Sequence, residues 1–173
     1  MTDARPIVTD ARGASRPHWL LFFGLAATVF VVDQLAKAWI VTNFRGDVPV
    51  DLVGPYLRIT ITQNTGALFG LFRDQAVIFA LFSVGVIGLI VWYHGHSARN
   101  LLISIALGLL LGGALGNLTD RLRLGYVVDF MDMGIGTWRF YTYNVADAAI
   151  TTAILLLIVV ASWPGLAGRA SDA

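Results

Sequence analysis

Cysteine is absent from this chain, and so is glutamate: all 11 acidic residues are aspartates. The first absence removes disulfide scaffolds, thiolate metal sites and a cysteine nucleophile. The second leaves any carboxylate chemistry to aspartate alone. Charge of either sign is scarce, at 13% of 173 residues against 57% apolar, and the net formal charge is +1. An ordinary soluble domain carries about 25% charged residues, so there is too little polar surface here to coat a globule of this length. The same composition excludes a disordered or collagenous chain. No basic stripe exists to meet phosphates, so no nucleic-acid partner is expected.

What the chain has in abundance is long apolar runs. Four organise it: Trp19 to about Val41, Ala76 to Tyr93, Leu101 to Leu118, and Ala148 to Trp163. Each approaches the ~20 residues a helix needs to cross about 30 Å of hydrocarbon. The expected fold class is therefore an all-α membrane protein of four transmembrane helices. Residues 17–163 form its single domain, between a disordered cytoplasmic segment 1–16 and a flexible tail 164–173. Arg5, Arg12 and Arg16 before the first run imitate a secretory signal, but Asp33 and Lys37 within the helix and the lack of a fitting cleavage site point to a retained anchor. Arginine and lysine outside the spans divide five to six between the two sides, and the cluster ahead of the first span favours cytoplasmic termini. Gly108, Gly112 and Gly116 recur every four residues on the third span and offer a face for close helix packing.

Two loops carry further pattern. In loop 44–74, Tyr56 to Thr62 alternates with β-branched residues like a half-buried strand, and Asp47 to Val53 is a candidate partner across Gly54-Pro55. A small sheet lying on the membrane surface is expected there. Loop 119–142 is amphipathic and punctuated by glycine, and a short helix is expected near its start.

The polar residues converge. Odd spans end and even spans begin on one side of the membrane. Asp33 and Lys37 (late in span one), Asn64, Asn117, Asp120, Arg121, Asp129, Asn144 and Asp147 therefore gather at the surface opposite the termini. Ionisable groups at membrane depth are functional candidates by default. A Ser-His hydrolase is unsupported, because His18, His94 and His96 fall on the other side. A zinc site lacks ligands. A Ser-Lys pair would need Lys37 with Ser83 or Ser104, and serines within spans commonly bond back to their own helix.

Carboxylate chemistry remains. Two close carboxyls divide the roles of acid and base on a water. Asp120, Asp129, Asp132 and Asp147 are candidates, with Asp33 further off, and the residues alone do not select the pair. Each also has a structural reading: Asp120-Arg121 as an interfacial ion pair, Asp33 and Lys37 as mutually neutralising i,i+4 partners, Asn144 and Asp147 as cap and dipole partner of span four, and Asp132 as a solvated loop residue. A proton-coupled transporter would scatter such groups through the membrane depth, and an assembly subunit would leave the one-sided cluster without a purpose.

Four ordered stretches then carry a resemblance: Asp33-Gln34-Leu35-Ala36-Lys37; Asn64-Thr65-Gly66-Ala67-Leu68-Phe69-Gly70; Gly116-Asn117-Leu118-Thr119-Asp120-Arg121 running on to Val127-Val128-Asp129-Phe130; and Tyr143-Asn144-Val145-Ala146-Asp147. Together they resemble bacterial lipoprotein signal peptidase, signal peptidase II, with departures at Leu68 and Tyr143. The resemblance implies an inner-membrane aspartic endopeptidase that needs no cofactor or metal. Its substrate is a prolipoprotein, cleaved before a diacylglyceryl-modified cysteine. It implies Asp129 and Asp147 as the catalytic pair, and Asp120 as a supporting residue beside Arg121. Asn64, Asn117, Arg121 and Asn144 orient substrate and carboxylates, and Asp33 and Lys37 form a structural pair. Gly66 and Gly70 give the first loop freedom to close on substrate. Membrane lipids are further expected partners, the chain is expected to be monomeric, and the site is expected at the periplasmic surface.

Overall fold

The computed structural model describes residues 17–44, 48–66, 76–97, 100–163 and 165. The expectations for residues 1–16, for Leu68 and Gly70, and for the tail beyond residue 165 fall outside them. In chain order the elements are α1 (Trp19–Asn43), β1 (Val50–Val53), β2 (Leu57–Asn64), α2 (Ala76–Ser97), α3 (Leu101–Leu124), β3 (Val127–Ile135), β4 (Trp138–Arg139) and α4 (Val145–Ser162). All four helices are long and apolar enough to cross a membrane. Their outward faces expose Leu20, Phe23, Leu81, Phe82, Leu89, Trp92 and Leu155, a surface stable only against lipid.

α3 is the hub, packing against α1, α4 and α2. Its glycines permit this. A β-carbon on Gly112 would lie 2.6 Å from the Ala26 carbonyl oxygen of α1, and one on Gly113 would lie 2.6 Å from the Ala146 carbonyl oxygen of α4. The stripe read from the sequence thus brings backbone to backbone, as small residues do where lipid offers no hydrophobic drive to association. Phe22, Ala26, Ile90, Leu107 and Leu111 form the buried cluster at the far end of the bundle. Asn100 opens α3 by accepting the Leu102 and Ile103 N–H groups.

The strands make one antiparallel sheet in the order β1-β2-β3-β4. The hairpin expected in the first loop is present, turning at Gly54 with φ +48°. The short helix expected at the start of the third loop is not a separate element. Residues 119–124 are the last turns of α3, which stops at Gly125 in the left-handed region, φ +79°. The segment after it is strand: its Val-Val-Asp-Phe-Met run suits a half-buried pleat and fills the free edge of β2, pairing Asn64 with Val127 and Ile59 with Met131. Ile59 and Phe130 settle on Ile40 near the end of α1, so the sheet is fixed to the bundle where the polar residues converge.

Candidate active site

The deepest polar feature is a knot around Lys37. Its ammonium lies 2.8 Å from Asp33 Oδ2, 2.8 Å from Asp120 Oδ2 and 3.2 Å from Asn117 Oδ1. Three N–H donors thus meet three acceptors, and no capacity is left over. Asp33 Oδ1 accepts the Ala146 N–H in the first turn of α4 at 2.9 Å, and Asp120 Oδ2 accepts the Val128 N–H at 3.1 Å. The knot therefore ties α1 and α3 to the start of α4 and to the strand residue just before Asp129. Gln34, unassigned by the sequence reading, donates to Asp120 Oδ1 at 3.0 Å and also reaches Asp33 Oδ2 at 3.2 Å. An amide inside an apolar span was the signal that could have marked it.

Next to this knot stand Asp129 on β3 and Asp147 in the first turn of α4. They share one neighbour, Asn144. Its side-chain Nδ2 donates to Asp129 Oδ1 at 2.7 Å, while its backbone N–H donates to Asp147 Oδ2 at 3.2 Å. Its Oδ1 accepts the Asp147 N–H at 2.9 Å, completing a capping box for α4. The expected cap is thus also the link between the two carboxyls. The remaining oxygens are held from either side: Asn64 Nδ2 donates to Asp129 Oδ2 at 2.9 Å, and Asn117 Nδ2 donates to Asp147 Oδ1 at 2.8 Å. Asp129 is 2% exposed. Burial pushes its carboxyl from 3.8 up to about 7, the negative charge of Asp147 adds to the rise, and the Asn64 and Asn144 amides and Lys37 pull against it.

Both carboxyls line one cavity of about 890 Å³. Thr62 to Gly66 and Tyr141 border it on the sheet side. Phe79, Phe82, Val86, Leu110, Ala114, Ile150 and Ile154 continue it between α2, α3 and α4. From Asp147 to Ile154 is about 10 Å along the helix at 1.5 Å per residue, so a polar mouth opens onto an apolar channel at membrane depth. Burial, then Asp147 and Asp129, push the Tyr141 phenol upward; this residue escaped the sequence reading because aromatics at interfaces are commonplace.

Two sequence readings are corrected. Asp120 does not pair with Arg121: it faces inward to Lys37, one helical position away from the cavity side. Arg121 turns instead to the cavity, donating to the Gly66 carbonyl at 3.3 Å and lying 5.7 Å over the Phe79 ring. Gly66 in turn donates its N–H to Asn64 Oδ1 at 3.1 Å, which fixes the Asn64 amide with its nitrogen toward Asp129. Asp132 is no solvated loop residue. It sits within β3, bridging Arg58 at 3.0 Å and Arg139 at 3.0 Å. His94 is fully buried in the far half of the bundle, stacked on Phe22 and 3.2 Å from Ser104, while Ser83 bonds back to the Phe79 carbonyl.

The chain is similar to known proteins over most of its length. The family described as signal peptidase (SPase) II matches residues 25–163. A lipoprotein signal peptidase of Coxiella burnetii (strain RSA 331 / Henzerling II) is 42% identical over 147 residues, covering 82% of this chain and 87% of that protein. One from Yersinia enterocolitica is 38% identical over 80% of this chain and 85% of that protein. A solved bacterial membrane enzyme, determined by the in meso method at 2.3 Å, superposes with a TM-score of 0.83 at 27% identity, over 92% of this chain and 98% of the other. A second, at 1.9 Å, gives 0.78 at 29% identity, over 85% of this chain and 96% of the other. This multi-pass bacterial membrane protein belongs to the signal peptidase II family of aspartic peptidases.

Proposed function

We propose that Asp129 and Asp147 together activate a water that cleaves the signal peptide from a prolipoprotein, immediately before its diacylglyceryl-modified cysteine. One observation carries the mechanism: two carboxyls linked through Asn144 and facing one cavity, Asp147 half-buried and Asp129 buried and held near 7. Asp129 holds the proton and Asp147 is the base. Water oxygen attacks the peptide carbonyl carbon as its proton passes to Asp147. The Asp129 proton passes to the carbonyl oxygen, giving a neutral tetrahedral diol. Collapse breaks the C–N bond, the leaving amine takes the proton from Asp147, and a diol proton returns to Asp129.

The supporting residues follow from their contacts. Asn64, Asn117 and Asn144 orient the carboxyls; Asp33, Lys37 and Asp120 hold the frame; Arg121 and Gly66 present donors and backbone to the substrate at the mouth. The apolar channel suits a substrate that stays in the bilayer, since it continues from the carboxyls toward the hydrocarbon. The enzyme works as a monomer, with cytoplasmic termini and its site at the periplasmic surface.

The test uses purified protein in lipid and a lipidated precursor. Asp129→Asn and Asp147→Asn should each lower cleavage at least about a thousandfold, with the protein still folded, and wild-type cleavage should persist in chelator. Near wild-type turnover in either variant would refute the pair.

A further inference from the structure

Among the described residues, the ionisable side chains that line the cavity are Asp129, Asp147, Arg121 and Tyr141. The first two are the acid and the base, and Arg121 is anchored on the Gly66 carbonyl and over the Phe79 ring. The cleavage steps leave Tyr141 unused. It belongs to the link between β4 and α4, shortly before Asn144. That link is pinned on both flanks of Tyr141. Phe140 donates its N–H to the Met133 carbonyl at 2.7 Å, and Tyr143 and Met131 exchange backbone bonds of 3.1 and 2.8 Å. The Phe140 ring backs the Tyr141 ring at 4.3 Å between centroids. The half-buried phenol is thereby placed before any substrate arrives, within the field of both carboxyls: burial, then Asp147, then Asp129 push it upward.

We propose that the Tyr141 phenol donates a hydrogen bond to the oxygen of the scissile carbonyl as the diol forms, which makes it a further catalytic residue. Orienting the carboxyls does not require it, since each of their four oxygens already accepts from Asn64, Asn117 or Asn144. Position favours the carbonyl. The carbon attacked by water lies between acid and base, and its oxygen must reach the proton of Asp129. A group close to both carboxyls is therefore close to that oxygen too. The phenol, pushed upward, keeps its proton at working pH, so it serves as a donor and not as a base or nucleophile. Its neutrality matters as well. A cation on the carbonyl oxygen would also draw the proton off Asp129, whereas a neutral O–H stabilises the developing charge without weakening the acid. The phenol gives up no proton: both transfers stay with Asp129 and Asp147, and the hydrogen bond tightens as charge builds on the oxygen. The proposal rests on the carboxyl pair as acid and base and adds a preorganised donor to it.

The test is steady-state cleavage of a lipidated precursor by the full chain in lipid. Tyr141→Phe keeps the ring on Phe140 and removes only the hydroxyl. It should lower kcat at least about tenfold, with KM within about twofold of wild type and the melting temperature unchanged. Tyr143→Phe is the control: that phenol donates to Met133 Sδ at 2.7 Å on an exposed surface and does not line the cavity, so its loss should leave kcat alone. A second series replaces Tyr141 with 2-fluorotyrosine and 3-fluorotyrosine, which keep the fold and sharpen the donor. At a pH of about 6, where these phenols are protonated, kcat should rise with donor acidity, a response that packing alone does not give. Wild-type kcat in Tyr141→Phe overturns the proposal. So does a raised KM with kcat intact, which would mark a wall of the binding site, or a flat kcat across the fluorotyrosines. Asp129→Asn and Asp147→Asn in the same assay separate the two readings. If they are inactive while Tyr141→Phe is fully active, the phenol falls and the pair stands; if either is active, the pair falls and the phenol with it.

Discussion

Asp129→Asn should make the protein less stable than wild type in acid and more stable than wild type in alkaline solution. In the unfolded chain this carboxyl titrates near 3.8, and in the folded protein burial and the adjacent Asp147 raise it to about 7. A folded state that holds its proton more tightly is favoured while that proton is bound. The associated stability is complete below 3.8, declines as pH rises, and is gone above about 7. About three pH units at 1.36 kcal/mol each amount to roughly 4 kcal/mol lost between pH 4 and pH 8. Asparagine has the same shape and no charge, so the variant does not lose it. One amide nitrogen will face a donor, either Asn64 or Asn144, which donate to the two carboxyl oxygens; that mismatch costs about 1–3 kcal/mol at every pH. The difference in melting temperature, variant minus wild type, should therefore climb by about 10 °C from pH 4 to pH 8, crossing from negative to positive. Thermal melts of the two proteins in the same detergent, at half-unit pH steps, measure it. Parallel curves would show that no strained ionisation exists at this position, and the proposed proton carrier would have to be abandoned.

Lys37→Met should destabilise by about 3–5 kcal/mol, because it leaves Asp33 and Asp120 buried and facing each other without their cation; urea or thermal unfolding should show it. Adding Asp33→Asn should recover part of the loss, and both proteins should lose abundance more than intrinsic rate. Gly112→Ala should cost about 1–3 kcal/mol because its β-carbon would meet the Ala26 carbonyl oxygen at 2.6 Å. The same change at Gly85, with nothing within 4 Å, should be neutral or raise the melting temperature slightly.

Much of this molecule could be read without coordinates because lipid imposes a length and composition on each span that no soluble fold requires. The placement of Asp33, Lys37, Asn117 and Asn144 at one surface followed from counting crossings. The capping role of Asn144 followed from its position ahead of an apolar run. What could not be read was pairing between loops. β3 has the same composition as a loop with scattered hydrophobics, and it becomes a strand only because β2, more than sixty residues earlier, offers an open edge. Asp132 was misread for that reason: neighbouring strands bring Arg58 and Arg139 to it, and Arg58 is far from it along the chain. The Asp120-Arg121 pairing failed for a simpler one. Consecutive helical residues point about 100° apart, so one faced the bundle and the other the cavity.

The division of labour among the four clustered aspartates rests on a single cation. Lys37 spends its donors on Asp33, Asp120 and Asn117, so these two carboxylates share its one charge and become scaffold. Asp129 and Asp147 receive only amide and backbone N–H groups. Those donors orient a carboxyl without putting a whole positive charge in contact with it; Lys37 acts only from a distance, and burial with the charge of Asp147 leaves Asp129 with a raised affinity for its proton. Asn117 separates the two regimes: its oxygen faces the ammonium and its nitrogen faces Asp147.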